Sequence, residues 1–492
     1  MKSRSGERGQ VLPLVAICLA VLMGFAALAV DVGYEQYQQR AQQSATDAAA
    51  IAGARQLVYA GCPSQGAAQT AARNDAATDG YTNGTGTVSV TVNNGLGVTG
   101  PYAADNCAVQ VTIFSPHTTF FAAAFAKFFG TNLTGQETTQ AVATLTASDA
   151  GCVYMLDPTQ TWNANGTNVN AATCSILING TANFNGGTIR ASAIGYGGST
   201  PNENGASFPQ ATPAPMLKVA DPCPQIAGCA YLAANAPTIP NTNPPSPCSP
   251  GTLSSSFHGG ALPPGCYNSP SFNGDSTVTM NGNYTLINPN FNGVNTITMT
   301  NGNYLVTSPN FNGAHNISMT SGNYTLSDQD FNGAGNVTMS GGTFYMEGST
   351  NFNGATVAMS GYFVYTGSMN ANGATLKDDA TGNGTTMYTT TGGSPNFNGA
   401  TVKLSPPSTG NTAGVLYYQV PANSGNPNFN GASNALSGLF YAPGADGVNF
   451  NGANGGYTIL VFGSANFNGS SSNNFGPPPG GVSLIKRAVL AQ

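Results

Sequence analysis

Residues Asn351–Ala355 read "NFNGA", and the same five letters return at 396–400 and 428–432. The core FNG recurs from Phe184 to Phe467. From Phe272 through Phe291, Phe311 and Phe331 to Phe352 the steps are 19, 20, 20 and 21 residues, a period that marks a solenoid. Other positions keep the same beat. Val278, Ile297, Ile317, Val337 and Val357 are each followed two residues later by Met280, Met299, Met319, Met339 and Met359. Tyr284, Tyr304, Tyr324, Phe344 and Phe363 are likewise followed by Leu286, Val306, Leu326, Met346 and Tyr365. Apolar pairs at i, i+2 have the period of a strand with one buried face.

Each unit is therefore predicted to be one coil of a parallel β-helix with three short strands, pairing its backbone with the coils above and below at about 4.8 Å. Phe fills the same interior slot on every coil. Gly282, Gly302, Gly322 and Gly361 precede the aromatic position, where a turn favours a residue of permissive φ. Asn has two readings: a ladder of side-chain amides bonded from coil to coil, or an outward residue of a turn.

The rhythm extends outward. "NANG" at 163–166 stands twenty residues before "NFNG" at 183–186, which places first solenoid coils over 151–207. A Pro-rich connector follows at 208–265, then the main array at 266–475, with steps of 26 and 32 residues around Phe397 that imply loops inserted on one side. The closing 476–492, with "VSLIKRAVLAQ", reads as a cap on the exposed end.

Only 7% of the residues are charged, against about 25% in an ordinary globular chain, so neutral Asn, Thr, Ser and Gly carry solubility. A net charge of −6 with no basic stripe argues against nucleic acid as a partner. Val11–Val30 holds twenty residues without a charge, which at about 1.5 Å per residue matches a hydrocarbon core of roughly 30 Å. Lys2, Arg4 and Arg8 precede it, and Asp31 and Glu35 follow. The expectation is an uncleaved transmembrane helix with 1–10 in the cytoplasm and everything beyond Asp31 exported; a cleaved secretory signal is the competing reading.

Cys18 lies in the span, leaving eight cysteines for an oxidising compartment. The simplest pairing is Cys62–Cys107, Cys152–Cys174, Cys223–Cys229 and Cys248–Cys266, one of 105 that eight cysteines allow. No C-x-x-C occurs and the histidines are only His117, His258 and His315, so no metal or other cofactor is expected.

After the span, Tyr34, Tyr37, Ala41, Ala45, Ala48, Ala49 and Ala52 recur three or four apart, as on one helix face. Small residues there permit close approach to another helix, but the face is read first as packing on the chain's own sheet, since alternating strands follow at 87–94 and 107–114, with an apolar helix or hairpin edge at 119–129. Residues 7–54 resemble the N-terminal region of TadG-like proteins of the Flp, or tight adherence, pilus assembly system. The motifs are Gly9-Gln10 before the span, Asp31-Val32-Gly33 after it, and a Gln-rich helix ending in Asp47 to Ala50. The resemblance implies a bacterial inner-membrane protein linked to pilus biogenesis or surface attachment. Two family features are missing here: Leu14 stands where a prepilin carries Glu, and no Asp-x-Ser-x-Ser metal motif of a von Willebrand A domain appears.

The fold class expected is mainly β: a transmembrane helix at 11–30, a pilin-like α+β region at 31–150, and then the solenoid. Two functions compete. One is a structural or adhesive envelope protein without catalytic residues, with Tad pilus assembly proteins or cell-surface polysaccharide as partners. The other is an anchored carbohydrate-active β-helix enzyme, a polysaccharide lyase or glycosidase, which needs converging carboxylates. Asp328, Asp330, Asp378 and Asp379 are the residues to watch, because a shared groove would favour the enzyme.

Overall fold

The computed structural model describes residues 11–60, 62, 64–128, 134–147, 151–216, 218–241, 253, 258–274, 276–430, 433–451, 458–468, 472–476 and 486–491. The chain divides into two compact units, Met1–Ala147 with Lys486–Gln492, and Ser148–Ile485.

The larger unit is a parallel β-solenoid. Coils of about twenty residues carry one strand through the Val/Ile–Met pair and a second through the aromatic, as in Thr296–Thr300 and Asn303–Thr307. Pairing is parallel and in register: Ile297 faces Ile317, Met299 faces Met319, and Tyr304 faces Tyr324. The third strand foreseen in each coil shrinks here to single bridges, Asn290 to Asn310 and Asn310 to Asp330. Phe272, Phe291, Phe311, Phe331 and Phe352 are fully buried, with successive ring centroids 4.8 to 5.1 Å apart and nearly parallel planes. Met280, Met299, Met319 and Met339 are equally inaccessible, and Tyr284, Tyr304 and Tyr324 form a second stack that Phe344 and Phe363 continue.

The pentapeptide now has a residue-by-residue account. In F-N-G-A the fourth residue's N–H donates to the Phe carbonyl, as from Ala314 to Phe311 at 3.0 Å and Ala355 to Phe352 at 3.0 Å. Gly313 and Gly354 hold φ of 70° and 72°, which makes the corner a type II turn requiring Gly at its third position. Both readings of Asn hold, on different coils. In the main array the Asn before Phe caps the turn, its Oδ1 accepting the N–H two residues on, as from Asn312 to Asn310 at 3.0 Å. On the coils of 163–185 and 466–468 the amides ladder instead: Asn183 donates to Asn163 at 3.2 Å and Asn163 to Asn466 at 2.9 Å.

One glycine assignment changes. Gly302 and Gly322 do not take positive φ; Asn301 and Ser321 before them do, at 53° and 55°. Gly302 is small for another reason, because a Cβ there would lie 1.6 Å from the Gly282 carbonyl of the adjacent coil. The tyrosines also show why some coils use Tyr over Phe: Tyr304 donates to the Met280 carbonyl at 2.9 Å and Tyr324 to that of Met299 at 2.8 Å, satisfying backbone groups at a buried corner.

The coil order departs from the sequence order. Residues 151–207 do not form a separate first stack. Leu460–Phe462 pair in parallel with Val153–Met155, and Asn466–Asn468 with Asn163–Asn165, so the first coils of the chain continue the stack beyond its last. Ala164 takes the Phe slot at this junction. Trp162, two residues earlier, sits in register with Ala182 and fills the vacated space, touching Phe184 and Phe467 edge-on at 5.4 and 5.3 Å. The stack ends on that side with Pro213–Pro215 paired to Ile194–Tyr196. Met216 donates inward to Tyr196 at 2.8 Å, so by strand alternation Pro213 and Pro215 occupy the positions whose N–H would face out. The edge thus offers no outward donor from either proline.

From that end the chain must travel to Gly260–Leu262, which opens the stack at the other. The part of the connector nearest the stack is held by the Cys223–Cys229 disulfide and the helix Ala227–Ala234. Ile226 and Leu232 pack with outward-facing Tyr388, Tyr418 and Tyr441, rings that stack at 5.2 and 5.0 Å. Tyr441 donates to the Asp221 carboxylate at 2.6 Å.

The smaller unit begins with α1 (Val11–Ala60), one helix of 50 residues. Its second half buries Ala45, Ala49, Ala50, Ala54 and Leu57 in a core shared with α2 (Gln65–Thr78) and an antiparallel sheet of β1 (Ser89–Asn94), β2 (Val109–Thr118) and β3 (Thr134–Ala147). The small-residue face therefore packs on another helix, α2, as well as on the chain's own sheet. A helix, α3 (Phe121–Phe128), joins β2 to β3. The fourth strand, next to β3, is Lys486–Leu490, paired from Ala143–Leu490 to Ala147–Lys486. Residues 486–490 are thus no cap on the solenoid; they complete this sheet.

The whole solenoid is accordingly an insertion between two paired strands. Such an insertion needs its two ends close together. A solenoid threaded from end to end would separate them by the full stack, roughly 60 Å at about 4.8 Å per coil. Entering at Gly151 and leaving at Ser472–Asn474, which pairs with Asn168–Asn170, puts entry and exit on neighbouring coils.

Disulfides join Cys62 to Cys107, Cys152 to Cys174 and Cys223 to Cys229. Cys266 is also disulfide-bonded; Cys248 lies outside the described residues.

Candidate functional site

The four aspartates that would signal catalysis sit at two different corners. Asp328 and Asp330 follow the aromatic strand, where Asp330 plays the part of Asn310 and accepts the Asn332 N–H at 2.9 Å. Asp378 and Asp379 follow the Met-type strand, in register with Met359 and just beyond it. Asp378 accepts the Ser405 N–H at 2.9 Å. Asp379 is buried and accepts from Ser360 at 2.7 Å, from Ser340, and from the Thr381 N–H at 3.0 Å. Burial pushes its carboxyl up, but the Ser340, Thr381 and Ser360 hydroxyls outweigh that and hold it below the ordinary range. Each carboxylate is committed to local hydrogen bonds, and the four do not share a groove.

Asp157 and Asp446, which the sequence did not bring together, form a carboxyl pair at the junction of first and last coils. Asp446 lies against glycine: a Cβ on Gly463 would be 2.4 Å from Asp446 Oδ1. Desolvation and the Asp157 charge push Asp446 up. At Asp157 desolvation is outweighed by hydrogen bonds from the Thr159 hydroxyl and N–H and from Gln160, and its carboxyl is held down.

An open groove of about 680 Å³ runs along the solenoid face beside the end of the connector. Asn283, Asn303 and Asn323 line one side, with Thr285, Leu305 and Thr325 on the floor and the Tyr345 ring at one end. Asn323 donates to Asn303 at 3.0 Å, so the row is ordered by its own amide bonds. The surface is neutral, polar and periodic. No single position signals it in the sequence; only stacking aligns its rows.

In the smaller unit Glu35, His117 and Glu137 bring ligand-type atoms within 4.8 Å of one another from α1, β2 and β3. The His117 Nε2 is buried without a hydrogen-bond partner, and its cross-strand neighbour is Gly135, where a Cβ would lie 2.5 Å from that nitrogen, so the ring occupies space that only glycine leaves free.

The first half of α1 leaves Leu14 through Val30 largely exposed and is long and apolar enough to cross a membrane. No curated protein and no solved structure shows significant similarity to the chain. Residues 9–56 match the family model described as putative Flp pilus-assembly TadE/G-like. The N-terminal helix, from the apolar segment through the alanines buried against the sheet, is a TadE/G-like domain segment.

Proposed function

We propose that this chain is a membrane-anchored extracytoplasmic protein of the Flp pilus system whose solenoid acts structurally, presenting a neutral polar face for attachment. The observation that carries the reading is the insertion: the TadE/G-like helix packs on a sheet whose adjacent strands β3 and Lys486–Leu490 bracket the entire solenoid. Disulfides in both units fit an oxidising compartment. Dispersal of the aspartates over separate corners supports a role without catalysis. The Asn/Thr groove supports a neutral polymer such as cell-surface polysaccharide as partner, since amides and an aromatic ring match hydroxyl-rich chains with no need of charge. Ser408→Cys, in an exposed loop, tests the topology. An impermeant maleimide should label it in intact spheroplasts. Labelling that requires lysis overturns the reading.

A further inference from the structure

We propose that α3 is a second membrane contact, lying in the lipid headgroup layer beside the point where α1 leaves the bilayer. The inference rests on α1 being the anchor. Its own observation is the way α3 is capped. A helix begins with N–H groups that have no partner of their own. Those of α3 are satisfied from another helix: the Asp31 carboxylate accepts from Phe120 at 2.9 Å, from Phe121 at 3.0 and 3.1 Å, and from Ala122 at 2.6 Å. Asp31 is only 6% exposed and is the first charged residue after the twenty uncharged ones. Three backbone N–H groups bonded to that carboxylate fix the start of α3 at the level where the apolar stretch ends.

What α3 presents at that level is apolar. Phe120, the residue just before α3, is 59% exposed and Phe121, its first residue, 50%; the helix itself reads FAAAFAKF with Lys127 its one charge. Tyr34, one turn along α1, holds Phe120 edge-on at 4.7 Å, so the ring is placed. Aromatic rings beside a lysine, tied to the end of an apolar helix, have the chemistry of an interfacial segment. The lipid surface is the occupant because the patch is continuous with the exposed apolar face of α1, where Val30 and Val32 are themselves uncovered.

The test uses the full chain in vesicles of phosphatidylcholine brominated at shallow or deep acyl positions. Phe120→Trp reports on the start of α3 and Leu22→Trp on the span. The one native tryptophan, Trp162, is fully buried and supplies a constant background. In Phe120→Trp, shallow bromines should reduce the fluorescence of the introduced indole about twofold, more than deep ones do, as for a ring in the interface. Adding Asp31→Ala should abolish that quenching and leave Leu22→Trp quenched. If Leu22→Trp is quenched and Phe120→Trp is not, α3 stands off the membrane and the inference fails while the anchor survives. If neither is quenched, the anchor fails with it. Shielding of the indole in Phe120→Trp from aqueous iodide without bromolipid quenching would point to a protein partner and also overturns the inference.

Discussion

Asn165 donates to the Asn468 side chain at 2.9 Å across 303 residues of sequence. This bond lies at the junction where the chain's earliest coil meets its latest. It uses the same amide ladder that Asn185 makes to Asn165 within the early coils, also at 2.9 Å. The junction is therefore built with the same side-chain ladder as the early coils, and parallel pairing continues through it.

Removing Lys486–Gln492 tests the insertion. The truncated chain should lose hydrogen-exchange protection along β3, whose outer neighbour is gone, while the coils from Tyr284 to Tyr365 keep theirs. Loss of protection in the solenoid first would restore the segment to the role of a cap.

Phe311→Ala should destabilise the solenoid by roughly 3–5 kcal/mol, the cost of truncating a fully buried ring held between two others. A denaturant midpoint equal to that of the parent chain would take Phe311 out of the interior.

Gly313→Ala and Asn312→Ala separate the two halves of the turn. Gly313 has φ of 70°, so alanine there should cost about 1–2 kcal/mol in the left-handed region. Asn312 is exposed at the preceding position, and its replacement should stay within about 0.5 kcal/mol. Equal losses at the two sites, read as melting shifts, would contradict a type II turn.

Asp379 and Asp446 should act oppositely on stability as pH changes. Asp379 is held below its ordinary value of 3.8, so the folded chain releases this proton more readily than the unfolded one. Its stabilisation is complete above that value and fades as pH falls through the lowered one. Asp446 is pushed above 3.8, so its contribution declines as pH rises from 3.8 through the raised value. Asp446→Asn should then stabilise the chain at pH 7, by less than about 1 kcal/mol because the pair is solvent-screened. A melting temperature that drops in Asp446→Asn at pH 7 would contradict the destabilising burial of this carboxylate beside Asp157.

Coil length, the inward set of Phe, Met and Tyr, and the glycine at the FNG corner were all legible in the sequence. Each depends on contacts between equivalent residues one coil apart, and so repeats as a period. The open groove was not legible, because its rows of Asn283, Asn303 and Asn323 acquire a shape only when stacked. Asp157 and Asp446 were hidden for a related reason, since 289 positions separate them and only the stacking of first on last coils brings them together.

By itself, then, the sequence determined that this protein is a solenoid carried behind an apolar, TadE/G-like helix, since periodicity and hydropathy are properties of the chain read locally. Tertiary structure decided which coil follows which and where the last strand goes. Parallel coils with one shared motif pair equally well in many orders. The order was selected by the need to bring both ends of the inserted unit back to neighbouring coils, which no local pattern records.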